Sequence, residues 1–420
     1  MDKRFLEEFA LVTYAALTVF CACWGLIGFT YVGFPVMLAW FARQKSAAQK
    51  CVLPNNETNL PRVLMVVAAF DEGEIIAEKL ANTWALDYPA DRFRICVGSD
   101  GSEDDTNRIL SECDNPRLKA YLFKERRGKI SVLNDLMHHA DADIVVFSDA
   151  NTLFAPDALR LLVEPFANPK VGCVSGELVI AENGGASGEG IYWKYEGWIK
   201  RNEAKLGFLM GCNGGIFAIR PELYEVLPPS TIVEDFVLTL RILERGHDVR
   251  FVPDAKGVEP PCASTQAEMK RKIRIGAGGF QAIGLNRALL HPRFGARAFA
   301  FWGHKVLRWL VPHFFVAAFL ANFFLLRTAL LGIPIFALFM AIQIIGAGVA
   351  AWVYTAKSGE SRPKWAKPIG YFYLMNYALG CGFLRFLFGT QRVTWERAAF
   401  SPSPILRSEQ RSNEPQVDAA

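Results

Sequence analysis

The sequence predicts an α/β domain with a mostly parallel sheet, set between transmembrane helices at both ends of the chain. Three observations predict it. Long apolar runs collect near the two ends, short apolar runs alternate with helical patterns through the middle, and polar residues cluster where the short runs stop. Composition agrees: 51% of the 420 residues are hydrophobic. Counting Gly and leaving out Tyr gives about 56% apolar, against ~45–50% in soluble proteins. A disordered chain is excluded and a soluble two-domain protein is disfavoured. The net charge of +4 is too mild to imply a nucleic-acid partner. Nine cysteines, odd in number and without a CxxC pair, indicate neither a zinc site nor a disulfide framework, and fit a reducing compartment.

The elements follow in order. Residues 9–41 carry no charge, which predicts one long or tilted transmembrane helix within 1–45. The run exceeds a signal-peptide core and is followed by Arg43 and Lys45. VLMVVAAF (63–70) reads as a buried strand, followed by an amphipathic helix over 74–86. FRICVGS (93–99) is a second strand and 104–110 a helix. Residues 129–139 are helical, ADIVVFSD (142–149) is a third strand, and Pro156 opens a further helix. Strands alternating with helices imply a parallel sheet covered on both faces, with ligands bound beyond the carboxyl ends of its strands. FVLTLRILERG forms a helix ending at Gly246. The stretch 289–309, mixing Phe and Trp with Arg293, Arg297, Lys305 and Arg308, predicts an interfacial amphipathic helix. About three transmembrane helices follow within 310–390, and a polar tail occupies 391–420. Lys and Arg beside the spans put the middle domain on the cytoplasmic side.

Three strand ends carry polar groups: Asp71 and Glu72, Asp100-Gly101-Ser102, and Asp149-Ala150-Asn151. Capping explains any one of them. Three on neighbouring strands would converge on one acidic crevice suited to a hydrated divalent cation. Asp149 and Asn151, two oxygen ligands one residue apart, are the metal candidates, with Mg²⁺ or Mn²⁺ shared with substrate phosphates. Neither a Walker A loop at Gly128-Lys129 nor a GxGxxG at Gly276–Gly279 is present. Glu234 and Asp235 precede a helix and read either as favourable dipole partners or as a carboxylate held for general-base work. The basic run Lys270–Arg274 reads as positive-inside topology or as a cationic wall for leaving phosphates.

The ordered set AAFDE (68–72), SDGS (99–102), RGKISVLN (127–134), FSDAN (147–151), GCNGGIFAIR (211–220) and VEDFVL (233–238), followed by a basic stretch and C-terminal spans, resembles the membrane-embedded family 2 glycosyltransferases. That group includes the cellulose, hyaluronan, chitin and poly-N-acetylglucosamine synthases. The resemblance implies a GT-A (nucleotide-diphospho-sugar transferase) domain over 60–288, a nucleotide-sugar donor, usually UDP-linked, a divalent metal and inversion at the anomeric carbon. It implies a glycan or lipid acceptor, membrane lipids around the spans, and a place in a bacterial inner (plasma) membrane. By position, Glu72 and Asp100 would hold the base and ribose, Lys129 would sit by the diphosphate, and Arg274 would help bind the nucleotide-sugar. Asp149 would bind metal with Asn151, and Asp235 would be the catalytic base. Two departures stand out. Asn151 replaces the second Asp of the usual DxD. In the QxxRW motif the Gln falls on Arg271, the Arg on Arg274 and the Trp, tied to processive elongation, on Ile275.

Overall fold

The computed structural model of the chain describes residues 3–45, 60–181, 189–261, 264–326, 334–355 and 362–392. In chain order these form α1 (Lys3–Gly28), α2 (Phe34–Gln44), β1 (Val63–Ala69), α3 (Ile76–Trp84), β2 (Phe93–Asp100), α4 (Thr106–Glu112) and β3 (Leu118–Phe123). Next come α5 (Lys129–His138), β4 (Ile144–Phe147), β5 (Leu153–Phe154), α6 (Ala158–Val163), β6 (Val171–Ile180) and α7 (Glu189–Leu206). They are followed by β7 (Phe217–Ile219), α8 (Glu234–Glu244), β8 (Asp248–Glu259), α9 (Thr265–Leu285), α10 (Ala296–Ala300), α11 (Leu307–Leu325), α12 (Pro334–Tyr354) and α13 (Ala366–Leu387). The chain divides into two compact units. One takes residues 1–46, 186–206 and 272–391, and the other the residues between them up to Arg271.

The second unit is built on an eight-stranded sheet in the order β3-β2-β1-β4-β7-β6-β8-β5. The sheet is parallel in four of its seven neighbouring pairs, and β7 and β5 supply the antiparallel ones. Every residue of β1 is buried, as in a parallel strand covered on both faces. Its register pairs Ala69 with Ser99 of β2 and Val66 with Phe147 of β4. The polar groups that follow these strands therefore reach one edge of the sheet. The strand order reverses between β1 and β4, which is where open α/β sheets bind ligands.

The α-helices expected in this unit are present with shifted ends. Pro156 lies two residues before α6, in a turn, because Asp157 is the residue that opens the helix. The strands β3, β5, β6, β7 and β8 add to the three read from the sequence.

In the first unit, α1 and α2 form one continuous helical rod joined by a π-helical turn over Phe29–Gly33. Pro35, at the start of α2, has no N–H to give the regular ladder, which accounts for the local widening. The span Glu7–Gln44 covers 38 residues. At 1.5 Å per residue it is about 57 Å long, well beyond the ~30 Å hydrocarbon layer. Phe34 is fully buried, and a Cβ on Gly303 would lie 2.1 Å from its ring, so glycine is required there. Phe20 packs with Ala321, Leu325 and Phe336.

The separate amphipathic helix expected over 289–309 does not form. Two 3-10 turns (Arg287–Leu290 and Pro292–Phe294) end at Gly295, and α10 then runs through a second π-helical turn, Phe301–Val306, into α11 without a break. The physical reason is that two of its four cations, Lys305 and Arg308, share the buried Glu196 as a partner. Glu196 of α7 accepts from Arg308 Nη1 at 2.5 Å and lies 3.0 Å from His304 Nε2, while Glu203 lies 2.6 Å from His304 Nδ1. Paired in this way, His304 and Arg308 have no need of a headgroup layer, whereas Arg293 stays exposed.

Among the described residues three helices are long and apolar enough to cross a membrane: Glu7–Gln44, Ala296–Leu325 and Ile335–Tyr354. The sequence suggested four. The helix α13, which carries Lys367, Asn376 and Arg385, is not among them. Beyond residue 392 the expected tail lies outside the described residues.

Candidate active site

The site grows from the ends of β1, β2 and β4. After β1 the chain turns at Asp71, the one described non-glycine residue with positive φ (52°). Such a backbone is costly for a residue with a Cβ. It is held here by Asp71 N–H donating to Ser102 Oγ at 3.1 Å, and by Glu103 N–H donating to Asp71 Oδ1 at 2.9 Å. Glu72, half-buried, follows with its N–H on Thr106 Oγ1 at 2.8 Å.

Asp100 ends β2 and is fully buried. Its two oxygens accept from the N–H groups of Arg127 and Gly128 at 2.7 and 2.8 Å. The carboxylate that the resemblance assigned to the base and ribose is thus committed to the loop leading into Lys129. That loop also stacks Arg126 on Phe70 at 3.6 Å and Arg127 on Phe123 at 4.1 Å.

Lys129 begins α5, and its Nζ bridges two carboxylates: Asp149 Oδ1 at 2.7 Å and Glu234 Oε1 at 2.5 Å. Burial works against the charge on Lys129, but Asp149 and Glu234 outweigh it and hold its pKa above the ordinary range. Burial likewise works against an ionised Asp149. Lys129 first, then Arg271 and Lys79, hold its carboxyl below the usual value.

Glu234 and Asp235 form the first turn of α8, where the helix dipole favours negative charge. Asp235 is half-buried, and its pKa is pushed up to about 6 by burial and then by its neighbour Glu234. The loop Cys212–Gly215 wraps against it: a Cβ on Gly214 would lie 3.1 Å from Asp235 Oδ2. A Cβ on Gly215 would lie 2.5 Å from Thr152 Oγ1 and 2.8 Å from Glu259 Oε1. The pair of glycines lets the backbone pass between the base and the β4 turn.

Asn151 is buried in that turn. Thr152 N–H donates to Asp149 O at 3.2 Å, which closes it.

The structure therefore brings Lys129, Asp149, Glu234 and Asp235 together, with Asn151 in the same turn as Asp149. Arg274 lies on α9 three residues past Arg271, among residues of the other unit. Sequence reasoning gave no site role to Lys79 or Glu259, and read Arg271 only as part of the basic run Lys270–Arg274. Lys79 of α3 is fully buried, and burial pulls its ammonium down to about 7 against the fields of Asp149 and Glu259. Its signal was present in the sequence: Ile76, Lys79, Leu80 and Thr83 share the buried helix face, where a lysine is out of place. Glu259, at the end of β8, accepts from Thr152 Oγ1 at 2.8 Å and lies 3.9 Å from Arg271. Burial raises its pKa.

A sheet of this order with acidic strand ends and a carboxylate on a following helix defines a nucleotide-diphospho-sugar transferase domain of the GT-A type. A mannosyltransferase from Pyrobaculum calidifontis, solved in complex with GDP-Man and Mn²⁺, shares the fold, with a TM-score of 0.66 over 90% of this chain and 100% of that one, at 22% identity. Residues 61–278 match the family described as glycosyltransferase like family 2, and the chain belongs to that family. A poly-beta-1,6-N-acetyl-D-glucosamine synthase of Staphylococcus aureus (strain COL) is 24% identical over 274 residues, 63% of this chain and 64% of its own. A beta-monoglucosyldiacylglycerol synthase of Synechocystis sp. is 28% identical over 235 residues, 53% of this chain and 48% of its own. The chain spans less than two thirds of the length of these curated relatives.

Proposed function

We propose that the protein is an inverting membrane glycosyltransferase that moves a sugar from a nucleotide-sugar, UDP-linked by preference, onto a growing polysaccharide. The carrying observation is Asp235: a half-buried carboxylate with its pKa pushed to about 6, at a helix N-terminus beside Lys129 and Asp149. A base titrating near 6 is ionised at neutral pH yet still basic enough to accept a proton. Asp235 takes the proton of the acceptor hydroxyl as that oxygen attacks the anomeric carbon. The bond to the nucleoside diphosphate breaks, and its electron pair leaves with the diphosphate. Lys129 supplies positive charge for the departing group. Asp100 acts behind it by fixing the loop before Lys129, and Glu72 stands at the nucleoside edge.

Among the described residues no three His, Cys, Asp or Glu side chains converge as a closed metal cage. The donor set nonetheless fits Mg²⁺ or Mn²⁺, which takes one or two protein oxygens and keeps water and phosphate for the rest. Asp149 retains 33% of its side-chain surface and already carries a cation, the Lys129 ammonium. Asp149 and Asn151 would hold the ion, and its charge would stabilise the leaving diphosphate.

The catalytic domain would face the cytoplasm of a bacterial inner membrane, where nucleotide-sugars are made. A second reading is transfer of one sugar to a lipid acceptor. Ile275, where the elongating synthases carry Trp, favours it, as does the similarity to the Synechocystis enzyme. Incubating membranes with a panel of labelled nucleotide-sugars and sizing the product tests both. A polymer ladder supports polysaccharide synthesis and a single lipid-soluble product the second reading. No transfer from any donor refutes the enzyme.

A further inference from the structure

The turn Ser148–Thr152, which carries Asp149 and Asn151, is held from behind by α3. Lys79 Nζ donates to Ser148 Oγ at 2.7 Å and to Thr152 O at 2.5 Å, and so grips the turn on both sides of the Asp-Ala-Asn triplet. One turn further along α3, Asn82 donates from Nδ2 to Phe154 O at 2.9 Å and accepts Phe154 N–H on Oδ1 at 2.8 Å. The Phe154 ring lies 4.7 Å from the Lys79 ammonium.

An apolar side chain would fill this core position at lower cost. A fully buried ammonium is expensive unless it is well compensated. Among the described residues no carboxylate accepts a hydrogen bond from Lys79; its acceptors are one hydroxyl and one carbonyl. The expense is therefore concentrated on one purpose, the shape of the turn.

We propose that Lys79 is a positioning residue for the divalent cation: it fixes the spacing of Asp149 and Asn151 by bridging Ser148 and Thr152. The inference rests on the reading that Asp149 and Asn151 bind a metal. It predicts that a site with only one charged ligand gains its affinity from pre-organisation rather than from charge.

The test uses the full-length protein in detergent and Lys79→Met, which keeps the chain length and removes the donors. Mn²⁺ binding is measured without donor by the loss of the free Mn²⁺ EPR signal, melting is followed in parallel, and kcat and KM are measured at saturating Mn²⁺. The expected result is Mn²⁺ affinity weakened about tenfold and kcat lowered, with melting no lower than wild type, since burying methionine relieves a desolvated charge. Unchanged Mn²⁺ affinity and kcat overturn the inference. So does a lowered melting point with unchanged Mn²⁺ affinity per folded molecule, because that marks a purely structural lysine. If Lys79→Met fails to fold, Ser148→Ala removes one acceptor and should weaken Mn²⁺ binding about threefold; no change overturns the inference. Wild-type protein that neither binds Mn²⁺ nor transfers sugar withdraws the metal reading and the inference together. An active, Mn²⁺-binding wild type with an indistinguishable Lys79→Met withdraws the inference alone.

Discussion

Replacing Asp235 by Asn removes the proton acceptor while keeping the side chain's size, and the structure sets two magnitudes for the result. With the carboxyl titrating at about 6, roughly 97% is ionised at pH 7.5 and about 9% at pH 5. Wild-type kcat should therefore fall about tenfold between those values. Asp235→Asn should lose ~10²–10⁴ in kcat, with this pH dependence abolished and donor affinity kept.

The same shift has a stability consequence of opposite sign. The folded pKa lies above the ordinary 3.8, so the protonated form favours folding. That contribution is present at low pH and is lost as pH rises from about 4 to about 6. At pH 7.5 the ionised group costs on the order of 3 kcal/mol at most. Asp235→Asn should consequently melt higher than wild type at pH 7.5, and the difference should vanish below about pH 4. Sugar transfer measured from labelled donor, with scanning fluorimetry at both pH values, checks both. A variant that keeps more than a tenth of wild-type turnover, or a flat wild-type profile from pH 5 to 7.5, refutes the assignment.

Other outcomes follow from the same geometry. Chelation should abolish transfer and Asp149→Ala should eliminate Mn²⁺ binding by EPR, whereas Asn151→Asp, by restoring a second charge, should tighten it several-fold. Lys129→Met strands Asp149 and Glu234 without their shared cation and should cost about 3–5 kcal/mol in denaturant unfolding; adding Glu234→Gln should recover part of it. Gly215→Ala forces a methyl to within 2.5 Å of Thr152 Oγ1 and should cost about 1–3 kcal/mol by the same measure, with kcat falling as the loop shifts.

Most of the acidic edge was legible in the sequence because β1, β2 and β4 are continuous apolar runs, each cut off by an aspartate within two residues. Buried parallel strands write themselves in that way. The edge strand β3 (LKAYLF) did not, since its exposed Lys119 and half-buried Tyr121 blur the pattern. The strand β6 was hidden by glycines: a Cβ on Gly172 would lie 2.6 Å from Leu223 and one on Gly176 2.5 Å from Ala255 O. Its glycines record close packing rather than turns. Lys79 was passed over because a lysine in an amphipathic helix is assigned by default to the solvent face. The helix α7 was missed because its buried residues include Glu196 and Glu203, which become intelligible only beside His304 and Arg308. No local window joins residues a hundred positions apart. Asp100 shows the converse: its position was read correctly, but its oxygens are engaged by backbone N–H groups that only the folded loop brings there.

That pairing of α7 with α11 also sets a timetable for synthesis. Glu196 leaves the ribosome 112 residues before Arg308. At ~5–20 residues per second the carboxylates wait roughly 6–20 s for their partners. Through that interval the nascent chain carries charges that cannot be sequestered, while β7 and β8 emerge and complete the sheet. The catalytic domain is thus free to finish folding first, and the helical half locks afterwards around a deposit of negative charge already in place. Any truncation that ends before His304 makes that wait permanent, so shortened versions meant to isolate the catalytic half should retain α7 only together with its late-arriving cations.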